Sequence, residues 1–162
     1  MVGADPDEEL LARVAKGDPA AVREMRALMA AERPPKGEWD LKLGEGGLVD
    51  IEFAAQFLQL AHAADGGPLR PHTADALAAF QSCGLADDAQ LDALQAAWRL
   101  QQDLTQLIKV ALDEDADPDA EPAAFQRLLA RAGGARNFAA LKRKLGAAQI
   151  GARKAYEIIV ES

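Results

Sequence analysis

The run Asp40-Leu-Lys-Leu-Gly-Glu-Gly-Gly-Leu-Val-Asp-Ile-Glu-Phe53 gathers the residue types that do phosphate and metal chemistry. Glycines at 44, 46 and 47 let backbone amides approach an anion closely, and a helix starting near Leu48 would add partial positive charge at its N-terminus. Lys42 supplies a full charge just before them. The spacing is neither that of a P-loop nor that of a dinucleotide fingerprint. On spacing alone, a strand-to-helix connector is therefore a more economical reading than a phosphate cradle.

Asp50 and Glu52 are carboxylates of the kind that hold magnesium in phosphoryl transfer. Positions i and i+2 face together on a strand but lie roughly 200° apart on a helix. The apolar run around them is helical, so the two side chains should diverge, and no metal site is assigned. A carboxylate in a helix's first turn also answers the helix dipole. His62 and His72 lack the cysteine neighbours of a zinc site and are expected at surface or cap positions. Cys83 is the single cysteine, so no internal disulfide can form, which suits a reducing cytoplasm. Beside Gly84, it reads as a buried structural thiol rather than a nucleophile. Lys142, Arg143 and Lys144, with Arg153 and Lys154, form a basic face on the last helix, read as solvated, with docking onto an acidic partner as the alternative.

The elements that must position these residues are helices. Of 162 residues 49% are hydrophobic but only 5% aromatic, and the apolar share is mostly Ala and Leu, which enter helices at little cost. The net charge of −8 excludes general nucleic-acid binding, which needs cations against phosphate. Much of the acid crowds Asp113, Glu114, Asp115, Asp117, Asp119 and Glu121, a stretch read as a solvated loop. No apolar run approaches the roughly 20 residues of a membrane span, and the N-terminus lacks a signal-peptide pattern.

After a loose start over Met1 to Pro6, helix is expected from 7 to 32, broken at Gly17 and restarted by Asp18-Pro19. Trp39, Leu41 and Leu43 alternate with Asp40 and Lys42, the period of a strand. That single extended segment has no partner in the chain, which leaves it to lie on the helices, fray or pair with a neighbour through its edge. A central helix follows from Leu48 to about Ala63, then one from Thr73, as its cap, to Cys83. A long helix from Asp87 to about Leu112 carries a seam that includes Trp98, expected to be buried. Further helices run from Pro122 and from the cap Asn137, the last with a seam from Phe138 to Ile159. The fold class is all-α, an antiparallel helical bundle with a short extended segment near 39–43. Within one domain, 1–36 is an N-terminal helical segment, 37–47 the extended segment and Gly-rich loop, and 48–162 the bundle.

At Lys42-Leu-Gly-Glu-Gly-Gly-Leu-Val-Asp-Ile-Glu-Phe53, continuing through Gln56, Leu58, Gln59, Leu60 and His62, the sequence resembles bacterial glutamine-synthetase adenylyltransferase. Arg23-Glu-Met-Arg26 and Pro35-Lys-Gly37 before Trp39-Asp40 look similar too. Glu45 departs from the family, where a basic residue or proline is more usual. The resemblance implies a two-headed enzyme, each half a nucleotidyltransferase domain followed by a helical domain. One half adds AMP to a tyrosine of glutamine synthetase and the other removes it, tuned by the PII signalling protein and glutamine. Leu48-Val49-Asp50 is closer to the C-terminal, adenylylating half. The superfamily's catalytic sheet carries a Gly-Ser turn and a strand-borne Asp-x-Asp pair, and this sequence offers neither, so no catalytic residue is assigned. The expectation is a helical accessory domain, inactive alone, binding no cofactor itself. Lys42, Gly44, Gly46 and Gly47 would be nucleotide-proximal, and ATP and magnesium would belong to the parent enzyme. The expected partners are its own N-terminal catalytic domain, glutamine synthetase and PII. The alternative is a stand-alone helical module for protein interaction or small-molecule sensing.

Overall fold

Two Asp-Pro pairs start the chain's first helices. Asp5 accepts a hydrogen bond from the Asp7 amide and Asp18 from the Ala20 amide, at 3.1 and 3.0 Å, each with proline at the first helical position. The computed structural model describes Gly3 and residues 5–161, so Met1, Val2 and Ala4 of the expected loose start lie outside the described residues. Among them run seven α-helices and no strand: α1 (Pro6–Ala15), α2 (Pro19–Glu32), α3 (Leu48–His62), α4 (Thr73–Cys83), α5 (Asp88–Ala111), α6 (Ala123–Ala132) and α7 (Phe138–Glu161). Short 3₁₀ turns lie at Ala63–Asp65 and Pro118–Ala120.

The cap residues act much as their types dictate. Asp87 accepts from the Ala89 amide and Asn137 from the Ala140 amide, both at 2.8 Å. Thr73 is different: it is the first residue of α4, and the cap position is His72, with no side-chain bond. His72 is exposed, while His62 tilts against the Phe80 ring at 5.7 Å.

Helices α5 and α7 form the spine and run antiparallel. Leu91, Leu94 and Ala97 pack with Ala152, Ala155 and Ile159 at one end; Leu100 and Leu104 pack with Leu141 and Leu145 at the other. The three-and-four spacing of both seams brings these side chains to one stripe. Each fully buried leucine contributes roughly 1.5–3 kcal/mol. Helix α3 lies against the first cluster, with Ile51, Ala54, Phe57 and Leu58 buried, and α4 covers it through Leu77 and Phe80. No helix among the described residues is long and apolar enough to cross a membrane.

Three further expectations are corrected. Residues 39–43 are not extended. Asp40 gathers the chain into turns, its carboxylate accepting from the amides of Lys36 and Leu43 at 3.1 and 3.0 Å and its carbonyl from Gly44 at 3.1 Å. The alternation reports something else: Leu41 plugs the second hydrophobic cluster, Trp39 stacks on Phe138 at 5.7 Å, and Lys42 stays exposed. Without a partner strand, local side-chain-to-backbone bonds win. Of the three outcomes open to this segment, it lies on the bundle. Cys83 is exposed rather than buried, because α4 ends at that residue and Gly84, at φ 67°, turns the chain away. Trp98 is half-buried, packed on the first cluster but open along a groove beside Leu77 and Arg99.

Candidate functional site

The glycine turn is held from both ends. The amides of Leu48 and Val49 donate to the carbonyls of Leu41 and Lys42 at 2.8 and 3.1 Å, so the chain doubles back on the first turn of α3. Those amides are donors that a helix start leaves without helical partners. The Gly44 amide goes to Asp40 O at 3.1 Å, Gly47 to Gly44 O at 2.9 Å, and Gly46 to the Asp50 carboxylate at 2.6 Å. All three glycine amides are therefore engaged internally, and the cation at the turn left facing solvent is Lys42. The glycines are required by close approach instead. A Cβ on Gly46, whose φ is 71°, would stand 1.9 Å from the Gln149 carbonyl oxygen, and one on Gly47 would stand 2.6 Å from that of Leu41.

Asp50 is the centre of this arrangement and is fully buried. Its Oδ1 accepts from Arg26 Nε at 2.5 Å and its Oδ2 from Arg153 Nη1 at 3.1 Å, the latter guanidinium also reaching Oδ1 at 3.2 Å. Arg26 is 4% exposed and also donates to Leu43 O at 3.1 Å, while its Nη1 is buried with no partner. Burial works against the charge of Arg153, but Asp50, by charge and hydrogen bond, and Glu157 outweigh it and raise its pKa. Its guanidinium also lies 5.1 Å over the Tyr156 ring. Burial, then the Asp50 charge, pushes the Tyr156 hydroxyl up. A buried carboxylate persists only when paired this fully.

A second polar link enters from α5. Gln101, fully buried, donates to Gly46 O at 2.9 Å and accepts from Gln149 at 3.2 Å. Both peptide groups of Gly46 are thus fixed, one through a carboxylate and one through an amide pair.

Glu52 takes no part in this centre. It is half-buried, and burial raises its pKa, offset by Lys42 nearby. It lines a cleft of about 630 Å³ with Lys42, Gln102, Thr105 and Lys109 over an apolar floor that includes Leu41 and Ile108. The Thr105 hydroxyl is buried there without a partner. An adjoining cleft of about 640 Å³ is walled by Glu38, Asp40, Glu114, Asp115 and Asp117. Among the described residues, no group of three or more His, Cys, Asp or Glu is arranged to hold a metal ion.

The basic face of α7 is largely spoken for. Lys142 pairs with Asp119 at 2.9 Å and Glu38 at 3.5 Å, Lys144 donates to Gly133 O at 2.7 Å, and Arg153 serves Asp50. Asp119 also accepts from the Trp39 indole at 3.1 Å, and its carboxyl is held below the ordinary range by Lys142 first and Trp39 after it. Sequence reasoning missed Arg26 as a site residue. The signal was an arginine one helical turn after Val22, on the inward stripe of α2.

Fold and site together define an all-helical module organised on a buried carboxylate that ties a glycine turn to three helices. A family model described as GlnD PII-uridylyltransferase matches residues 20–155, and the chain belongs to that family. Curated relatives carry the name bifunctional glutamine synthetase adenylyltransferase/adenylyl-removing enzyme. That of Caulobacter vibrioides is 62% identical over 149 residues, covering 92% of this chain and 15% of the relative. That of Rhizobium meliloti is 44% identical over 115 residues, 69% of this chain and 12% of the relative. That of Rhodopseudomonas palustris is 36% identical over 140 residues, 86% of this chain and 14% of the relative. The chain thus spans about one seventh of the length of the relatives it matches.

Proposed function

We propose that this chain is the C-terminal helical accessory domain of an enzyme that adenylylates glutamine synthetase in nitrogen regulation, with the catalytic core elsewhere in the polypeptide. The 62% identity over 92% of the chain, set against 15% of the relative, is the observation that carries this reading. Residues 1–36, the turn at 37–47 and the bundle at 48–162 act as one unit that buttresses the catalytic domain. Lys42, facing solvent at the lip of the cleft beside Glu52, is the group that reaches the nucleotide. Gly44, Gly46 and Gly47 lie close to it and hold the turn compact rather than binding phosphate through their amides. Glutamine synthetase and PII are the partners, and the enzyme works in the cytoplasm. ATP and magnesium are handled by the catalytic domain. The carboxylates of this chain do not suit the metal: Asp50 already accepts two guanidiniums and an amide, and Glu52 stands apart from it.

The test is Lys42→Ala in the full-length enzyme. Loss of a phosphate contact raises KM for ATP about tenfold or more with the melting temperature unchanged. Unchanged nucleotide kinetics would overturn the role of Lys42. The 162-residue chain itself, incubated with glutamine synthetase, ATP and magnesium, should add no AMP mass to its target.

A further inference from the structure

Gly46 is gripped on three sides, and each grip traces to the same helix. Its amide is held by Asp50, which Arg153 of α7 engages through both oxygens at 3.1 and 3.2 Å. Its carbonyl is held by Gln101, whose own amide oxygen accepts from Gln149 of α7 at 3.2 Å. Its α-carbon faces the backbone of Gln149 so closely that any Cβ there would overlap the Gln149 carbonyl. Residues 149 and 153 are one helical turn apart and so share a face of α7. Lys42 stands two residues before this turn, its carbonyl tied to the Val49 amide at 3.1 Å.

We infer that α7 sets the shape of the Gly44–Gly47 turn, with Gln149 and Arg153 as the positioning residues that place Lys42. Neither is a catalytic residue, since each acts on the shape of the turn: Arg153 through Asp50, and Gln149 through Gln101 and its own backbone. Arg26 holds the residue just before the turn through Leu43 O and is almost sealed, with 5% of its side chain exposed against 28% for Arg153. Arg26 therefore anchors the buried charge, while Arg153 and Gln149 are the adjustable pair, reached from the cleft that also holds Glu45, Ile150 and Lys154. The shape of the turn stands on this geometry alone; its consequence for nucleotide use rests on the function proposed above.

Two measurements separate these. In the 162-residue chain, amide hydrogen exchange is followed at Gly46 and, as a core reference, at Leu94. Arg153→Met or Gln149→Leu should lower protection at Gly46 about tenfold relative to Leu94. Arg143→Met, exposed on the same helix, should change neither. If Arg153→Met does not fold, Arg153→Lys keeps the charge but has a shorter reach and no Nε for Glu157, and should show the same selective loss to a smaller degree. Equal loss at both amides, or no loss at Gly46, overturns the inference. In the full-length enzyme, KM for ATP should rise in Lys42→Ala and in Arg153→Met, and the double variant should be no worse than Lys42→Ala. Additive effects, or an Arg153→Met enzyme with unchanged KM beside an impaired Lys42→Ala enzyme, overturn the route through Lys42. An unimpaired Lys42→Ala enzyme sinks the nucleotide reading instead and leaves the exchange result standing.

Discussion

The Gln149 carbonyl lies against the α-carbon of Gly46, a contact between residues far apart in sequence that leaves no room for a single methyl group. Gly46→Ala must either displace α7 or flatten the turn, and its positive φ adds a further cost for any L side chain. Together these should destabilise the chain by about 2–4 kcal/mol, read from urea unfolding. A change below half a kilocalorie would show that the turn can open without cost.

Asp50→Asn removes the charge that Arg26 and Arg153 share but keeps the side chain's size. The expected loss is about 3–5 kcal/mol, because Arg26 is left charged and enclosed. Adding Arg26→Met should recover part of that loss, which a double-mutant cycle measures directly. If the two losses simply add, the pair is not coupled.

Glu52 offers a stability effect with a defined pH dependence. Burial raises its folded pKa above the ordinary 4.5, so the folded state binds the proton more tightly than the unfolded chain does. Its penalty is absent below 4.5, grows as pH climbs from there through the folded value, and is constant above it. Glu52→Gln should therefore melt higher than the parent at pH 7, with the gap closing as pH falls below 4.5. An equal gap at both ends of the range would assign the change to packing rather than to charge.

Leu94 and Trp98 face the same seam but differ in cover. Leu94 is fully buried, and Leu94→Ala should cost about 3–5 kcal/mol. Trp98, open along one side, should cost about half that when cut to alanine. Thermal or chemical unfolding of the two variants checks the order, and a reversed order would mean the α4–α5 groove is closed in solution.

What could be read locally was legible from the residues alone. The helix starts at Asp18-Pro19, Asp87 and Asn137 depend on a side chain and an amide two or three positions away, so residue type and spacing suffice. The seams of α5 and α7 follow from a period that any all-helical chain must honour. Gln101 lies on the buried stripe of α5, but its role does not follow from that position, because a buried glutamine has meaning only once Gly46 and Gln149 are beside it.

The centre of the site was decided by tertiary structure. Asp50 stood in the sequence as a first-turn carboxylate answering a helix dipole, yet its partners lie 24 residues before it and 103 after it. No local rule pairs residues at such separations. The choice belongs to the packing of α2 and α7 against α3, which removes water and makes every buried charge find its opposite. The same packing turned an apparent strand into a plug, since Leu41 gains more against Leu104 and Leu145 than an unpaired strand could. The amino-acid order by itself determined which helices form and which stripes are apolar. How the glycine turn is held, and which arginines hold it, depended on where those helices meet.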